Sequence, residues 1–87
     1  MNIEVPNYEQ EQCFTFDWVE GFSIQCHYSE CGNEKAVIIT ANPEGLTSLA
    51  KHLLELAQTA VPAGTHMHLD ECNALEDGSI ELIIERM

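Results

Sequence analysis

The sequence predicts an α+β domain: a sheet of about five strands, mixed but mostly antiparallel, with one amphipathic helix packed on one face, in the order β-β-β-α-β-β. Three observations carry this. Residues 43–61 place apolar side chains at helical spacing, the stretches on either side alternate apolar and polar residues, and turn signals separate those stretches. Eighty-seven residues make a single domain, 1–87, able to bury roughly two thirds of its unfolded surface and so to fold without metal or disulfide support.

Residues 2–5 fit a short edge strand before Pro6, and residues 7–12 a polar loop. In residues 13–18 Phe14, Phe16 and Trp18 alternate with Thr15 and Asp17, the period of a half-buried strand, and Glu20-Gly21 supplies the turn. Phe22, Ile24, Cys26 and Tyr28 then alternate with Ser23, Gln25 and His27, a second strand with one dry and one wet face. The two predict an antiparallel hairpin. Cys31-Gly32-Asn33 suits a further hairpin turn. In residues 35–41 Ala36, Val37, Ile38 and Ile39 are consecutive, the pattern of a strand covered on both faces or central in its sheet.

The helix is the element to which the rest is fitted. Asn42 caps it, Pro43 brings the preset φ of a first helical position, and Glu44 faces the positive end of the macrodipole. Leu46, Leu49, Ala50, Leu53, Leu54, Leu56, Ala57, Ala60 and Val61 form the dry stripe, and Thr47, Ser48, Lys51, His52, Glu55, Gln58 and Thr59 the wet side. Pro62 and Gly64 end it. Residues 65–69 predict a strand with Met67 and Leu69 inward and His66 and His68, followed by Asp70, outward. Residues 70–78 form a polar connection carrying Asp70, Glu71, Glu76 and Asp77, anchored by Leu75 and turning at Asp77-Gly78. Residues 79–87 close the sheet, with Ile80, Leu82 and Ile84 inward and Glu81, Ile83 and Glu85 outward. A strand-helix-strand crossover adds at least one parallel pair.

Charge narrows the function. Fifteen acidic side chains against three basic ones give a formal charge of −12, which repels nucleic-acid phosphates and anionic lipid and attracts basic proteins and cations. The same charge also serves plain solubility. The first twelve residues show neither a basic start nor an apolar run, so no secretory signal or membrane span is predicted and the expected location is cytoplasmic. Cys13, Cys26, Cys31 and Cys72 are then expected as free thiols, two or three of them packed as small hydrophobes.

Catalytic patterns are missing. There is no Ser-His-Asp order, nucleophile elbow, phosphate-cradling glycine loop or His-Glu-x-x-His helix, so the chain is expected not to be an enzyme and to need no cofactor. The sharpest constellation is His66-x-His68-x-Asp70, because strand residues two apart share a face and can converge on a zinc ion. A solvated strand face over a core of Met67 and Leu69 explains the same residues, and with no second ligand cluster no metal is assigned. His27 and His52 are expected at the surface. The acidic connection, continued by Glu81 and Glu85, predicts a patch for a basic protein, with Trp18, Tyr28 and Ile83 as candidate anchors; Trp18 also fits a core with Phe14 and Phe16.

The C-terminal half carries three motifs: E-G-L-x-S-L-A-x-H-L-L in the helix, H-x-H-L-D after it, and L-E-D-G-S-x-E-L-I-I-E at the close. With these the chain resembles immunity protein family 32 of bacterial polymorphic toxin systems, over residues from Lys35 onward. The resemblance implies an intracellular antidote, made beside a secreted toxin, that binds and neutralises it without doing chemistry. His66, His68, Leu69, Asp70, Leu75, Glu76, Asp77, Gly78 and Ser79 occupy the matching pattern. The expected partner is a basic toxin such as a nuclease, and the expected binding residues are His66, His68, Asp70, Glu71, Glu76, Asp77, Glu81 and Glu85. Two other readings stay open: a metal-binding module on His66, His68 and Asp70, and a homo-oligomer that pairs through a sheet edge.

Overall fold

A computed structural model describes residues 18–87. Their element order is β1 (Ile24–Cys31), β2 (Glu34–Ala41), α1 (Pro43–Leu56), β3 (His66–Leu69) and β4 (Leu82–Glu85). β1 and β2 pair antiparallel from Ile24↔Ala41 to Cys31↔Glu34. Gly32, at φ 62°, supplies the positive backbone angle that a two-residue hairpin turn needs. β3 and β4 pair antiparallel from His66↔Glu85 to Leu69↔Leu82. Bonds from Gly64 N to Arg86 O and from Arg86 N to Thr65 O carry that pairing beyond the strand ends.

The α+β class is as expected, but the five-stranded mixed sheet is not. The described residues form two separate two-stranded antiparallel sheets, with no parallel pair among them. The strand expected at 2–5, and all but the last residue of the one at 13–18, lie outside the described residues. The closing strand is shorter than expected for a visible reason. Residues 76–80 run beside the edge of β1 away from β2, where Glu76 N donates to Ile24 O and Ile80 N to Cys26 O. Between them the amide of Cys26 donates to the side-chain hydroxyl of Ser79 rather than to a carbonyl. A hydroxyl in the place of a backbone acceptor joins the segments without building a ladder, and Ile80, expected inward, is exposed.

The core lies where Ile24 and Cys26 of β1, Leu49 of α1, Leu69 of β3 and Leu75 of the connection meet. Leu75 anchors the connection as expected. Trp18, Phe22, Ala41, Ala74, Leu82 and Ile84 pack around this centre. The expected dry face of β1 holds at Ile24 and Cys26 and fails at Tyr28, which is exposed. β2 departs further. Instead of being covered on both faces, residues 34–40 are exposed, including Val37, Ile38 and Ile39. Opposite Cys26 stands Ile39, and the described core cluster has no β1 or β2 residue between that pair and the hairpin turn. Of the described cysteines, all free thiols, Cys26 is buried and Cys31 and Cys72 are exposed.

The helix begins as the sequence predicts. Asn42, in extended backbone, accepts from Gly45 N on its side-chain oxygen, with Pro43 and Glu44 in the first turn. It stops at Leu56 rather than near Pro62, and isolated turn bonds such as Gln58 N to Glu55 O and Val61 N to Gln58 O follow. The buried positions are Gly45, Ser48, Leu49, His52, Glu55 and Leu56. They recur at i, i+3, i+4, i+7, i+10 and i+11, a regular helical stripe, but one turned about a third of a turn from the leucine-rich stripe at 100° per residue. Ser48, His52 and Glu55, expected on the wet side, face inward, while Leu46, Leu53 and Leu54 are 53%, 42% and 48% exposed.

The roll has a physical cause. Gly45 lets the backbone of residue 23 come close: a Cβ at position 45 would lie 2.5 Å from Ser23 O. Ser48 Oγ donates to Glu44 O and accepts from Val19 N, and Trp18 meets His52 edge-on at 4.3 Å. The segment leading into β1 therefore packs on the small and polar positions of α1.

The far end of the helix is tied by the chain's last strand. α1 has no basic residue in its last turn, and Arg86 supplies the missing cation, its guanidinium Nη1 donating to Leu56 O at 3.1 Å and Gln58 O at 2.9 Å. Replacing Arg86 with Ala is expected to lower stability by about 1–2 kcal/mol in urea unfolding, and Arg86→Lys to recover only part of it, because lysine is shorter and its ammonium more strongly hydrated. No helix among the described residues is long and apolar enough to cross a membrane.

Candidate functional site

β3 alternates as its sequence requires, with Met67 and Leu69 buried and His66 and His68 exposed. β4 answers with Leu82 and Ile84 half-buried and Ile83 and Glu85 exposed. Cross-strand pairing sets His66 opposite Glu85 and His68 opposite Ile83, so these four share the outward face of the small sheet. Glu81 joins them: His68 Nδ1 lies 2.5 Å from Glu81 Oε1. His66 Nδ1 lies 3.0 Å from Gly64 O. It also stands 4.0 Å from Glu85 Oε1. The two imidazoles meet edge to face, their centroids 4.8 Å apart. At the centre of this polar rim is Ile83, 53% exposed.

The remaining expected residues serve the connection itself. Asp70 Oδ1 accepts from Cys72 N and Asn73 N, closing a tight turn, while Asn73 Nδ2 donates to His68 O. Glu71 Oε2 accepts from Gly78 N, and Glu76 Oε1 accepts from the hydroxyl of Ser23. Asp77 is exposed at the turn that Gly78 makes with φ 87°. Thus His66, His68, Glu81 and Glu85 gather on one face, while Asp70, Glu71 and Glu76 spend hydrogen-bonding capacity on holding the loop.

The pattern His66-x-His68-x-Asp70 does not become a ligand set. Asp70 turns its carboxylate into the loop, and the described residues contain no group of three or more His, Cys, Asp or Glu able to hold a metal. Of the expected anchors, Ile83 lies on the face. Tyr28 is exposed on the other hairpin, its hydroxyl donating to Glu30. Trp18 is half-buried, stacked on Phe22 at 4.6 Å and packed against the core; Phe14 and Phe16, expected beside it, lie outside the described residues.

A second surface was not among those expected from the sequence. Leu53, Leu56 and Ala57 of the helix end, with Ile84, Glu85, Arg86 and Met87, line an open cleft of about 270 Å³. The signal available for it was the width of the apolar arc: nine apolar positions between 46 and 61 exceed what one sheet contact covers.

Compared with known proteins, residues 36–87 match the family model described as Immunity protein 32. No curated protein and no solved structure matches the chain.

Proposed function

The chain belongs to the immunity protein 32 family, and from that premise we propose that it neutralises a basic bacterial toxin in the cytoplasm by laying the outward face of β3 and β4 over it. An immunity protein has a toxin as its partner in general terms; the charge of that toxin and the surface that meets it are the substance of the proposal. The observation that carries it is the gathering of His66, His68, Glu81 and Glu85 around the exposed Ile83, on a chain of net charge −12. Charge of one sign speeds encounter with a partner of the other sign, and a central apolar side chain within a polar rim is the usual anatomy of a specific interface. Asp70, Glu71, Glu76 and Asp77 add field at longer range while keeping the neighbouring loop in shape.

The test is rescue. Expression of the toxic domain encoded by the adjacent gene should stop growth, and co-expression of this protein should restore it. The double reversal Glu81→Lys with Glu85→Lys should slow association by roughly tenfold at low salt, with the difference shrinking as ionic strength rises. Full rescue by that variant, with an unchanged association rate, would remove the face from the proposal.

A further inference from the structure

The roll of α1 leaves an apolar ridge partly exposed among the described residues. Leu46, Ala50, Leu53 and Ala57 fall at i, i+4, i+7 and i+11, one line along the helix, and Leu54 lies beside it; Leu46, Leu53 and Leu54 are each close to half exposed. At its C-terminal end the ridge becomes the wall of the cleft against β4. Its volume, about 270 Å³, falls just below the roughly 300–1,000 Å³ of small-molecule sites, and its shape is open. Such a cleft suits one large side chain presented by another protein. Exposed apolar surface bordered by polar groups is where interfaces form, and buried anchors in such clefts carry most of the binding energy.

Charge selects the occupant. Arg86 lies at the cleft, but its guanidinium is committed to the carbonyls of Leu56 and Gln58, whereas Glu85 lines the cleft and also stands beside His66 on the outward face. The cleft and the His/Glu face therefore meet along β4 at Glu85, whose carboxylate stands on the outward side beside His66. A second copy of the chain, itself of net charge −12, would be repelled, and a basic protein drawn in.

We propose that the cleft between the end of α1 and β4 receives an aliphatic or aromatic side chain of the toxin, flanked on the toxin by a lysine or arginine that meets Glu85. This rests on the immunity reading and divides the interface in two: the His/Glu face governs how fast the toxin arrives, and the cleft governs how long it stays.

Two variants at exposed positions test it: Leu53→Gln, which removes the apolar wall, and Ala57→Trp, which fills the space. Each is first checked for an unchanged urea midpoint. Association and dissociation rates are then measured against the purified toxic domain encoded by the adjacent gene. Both variants should dissociate at least tenfold faster than the parent, with association rates within about twofold. Folded variants that dissociate like the parent would overturn the cleft while leaving the immunity reading intact. A parent that neither binds the domain nor restores growth would overturn the immunity reading itself, and the cleft with it. Sedimentation of the parent and of Leu53→Gln supplies the last outcome: a parent dimer that the substitution splits, with toxin binding unchanged, assigns the ridge to a second copy and also overturns the proposal.

Discussion

Removing the side chain of Asn42 is expected to cost about 2–4 kcal/mol. Its carboxamide makes three bonds at once: Oδ1 accepts from Gly45 N at 2.8 Å and from Ser23 N at 2.9 Å, and Nδ2 donates to Gly21 O at 2.9 Å. The Asn42 amide itself donates to Ser23 O. Loss of a helix cap alone costs about 1 kcal/mol, and each backbone group left without its partner adds to that. A domain of this size has a total stability of about 4–13 kcal/mol at roughly 0.05–0.15 kcal/mol per residue, so Asn42→Ala should shift the urea midpoint visibly. Asn42→Asp separates the two roles. It keeps both bonds accepted by Oδ1 and sets a negative charge at the positive helix end, but it presents an oxygen to Gly21 O where the amide donated. Its loss should be smaller than that of Asn42→Ala; an equal loss would mean that the bond to Gly21 dominates.

Gly45→Ala should also destabilise, against the sign that helix propensity gives. Inside a helix Ala is favoured over Gly by about 0.8–1.0 kcal/mol. Here the added Cβ would lie 2.5 Å from Ser23 O, 2.9 Å from Ile24 Cγ1 and 3.1 Å from Asn42 Oδ1. The first and nearest neighbour is backbone and cannot swing aside, so relief requires α1 and β1 to separate. Overpacking of this kind costs typically about 1–3 kcal/mol, enough to outweigh the propensity gain at most of that range. A lower urea midpoint is the expected result. A higher one would rule out the close approach of α1 to residue 23 as the cause of the helix roll. In the double variant with Ile24→Ala the clash with Cγ1 disappears while that with Ser23 O stays, so the losses should be less than additive without the second substitution restoring stability.

Both residues show what local pattern can and cannot convey. The cap at Asn42 was legible because capping needs only a side chain of the right length next to a helical run, and nothing distant. So was the face of β3 and β4, since alternation with period two decides on its own which side chains point together; His66, His68, Ile83, Glu81 and Glu85 follow from it directly. The histidine pattern misled only at Asp70, where the strand ends and the carboxylate finds amides of its own loop within reach. In the same way Ser48, His52 and Glu55 looked wet because the helical period alone says which residues are neighbours, not which side of the helix something else will choose to cover.

Sequence alone determined the α+β class among the described elements, the start of α1, the turns at Gly32 and Gly78, the alternation of β3 and β4, the charge of −12 and, through the motifs of its C-terminal half, the family. Each of these depends on residues within a few positions of one another or on a simple sum. Tertiary structure decided the roll of α1, the division of the sheet at Ser79 and the exposure of β2 and of the leucine ridge. Those depend on how closely two distant stretches of backbone can approach, which a missing Cβ at Gly45 and a hydroxyl at Ser79 settle and hydrophobic periodicity does not record.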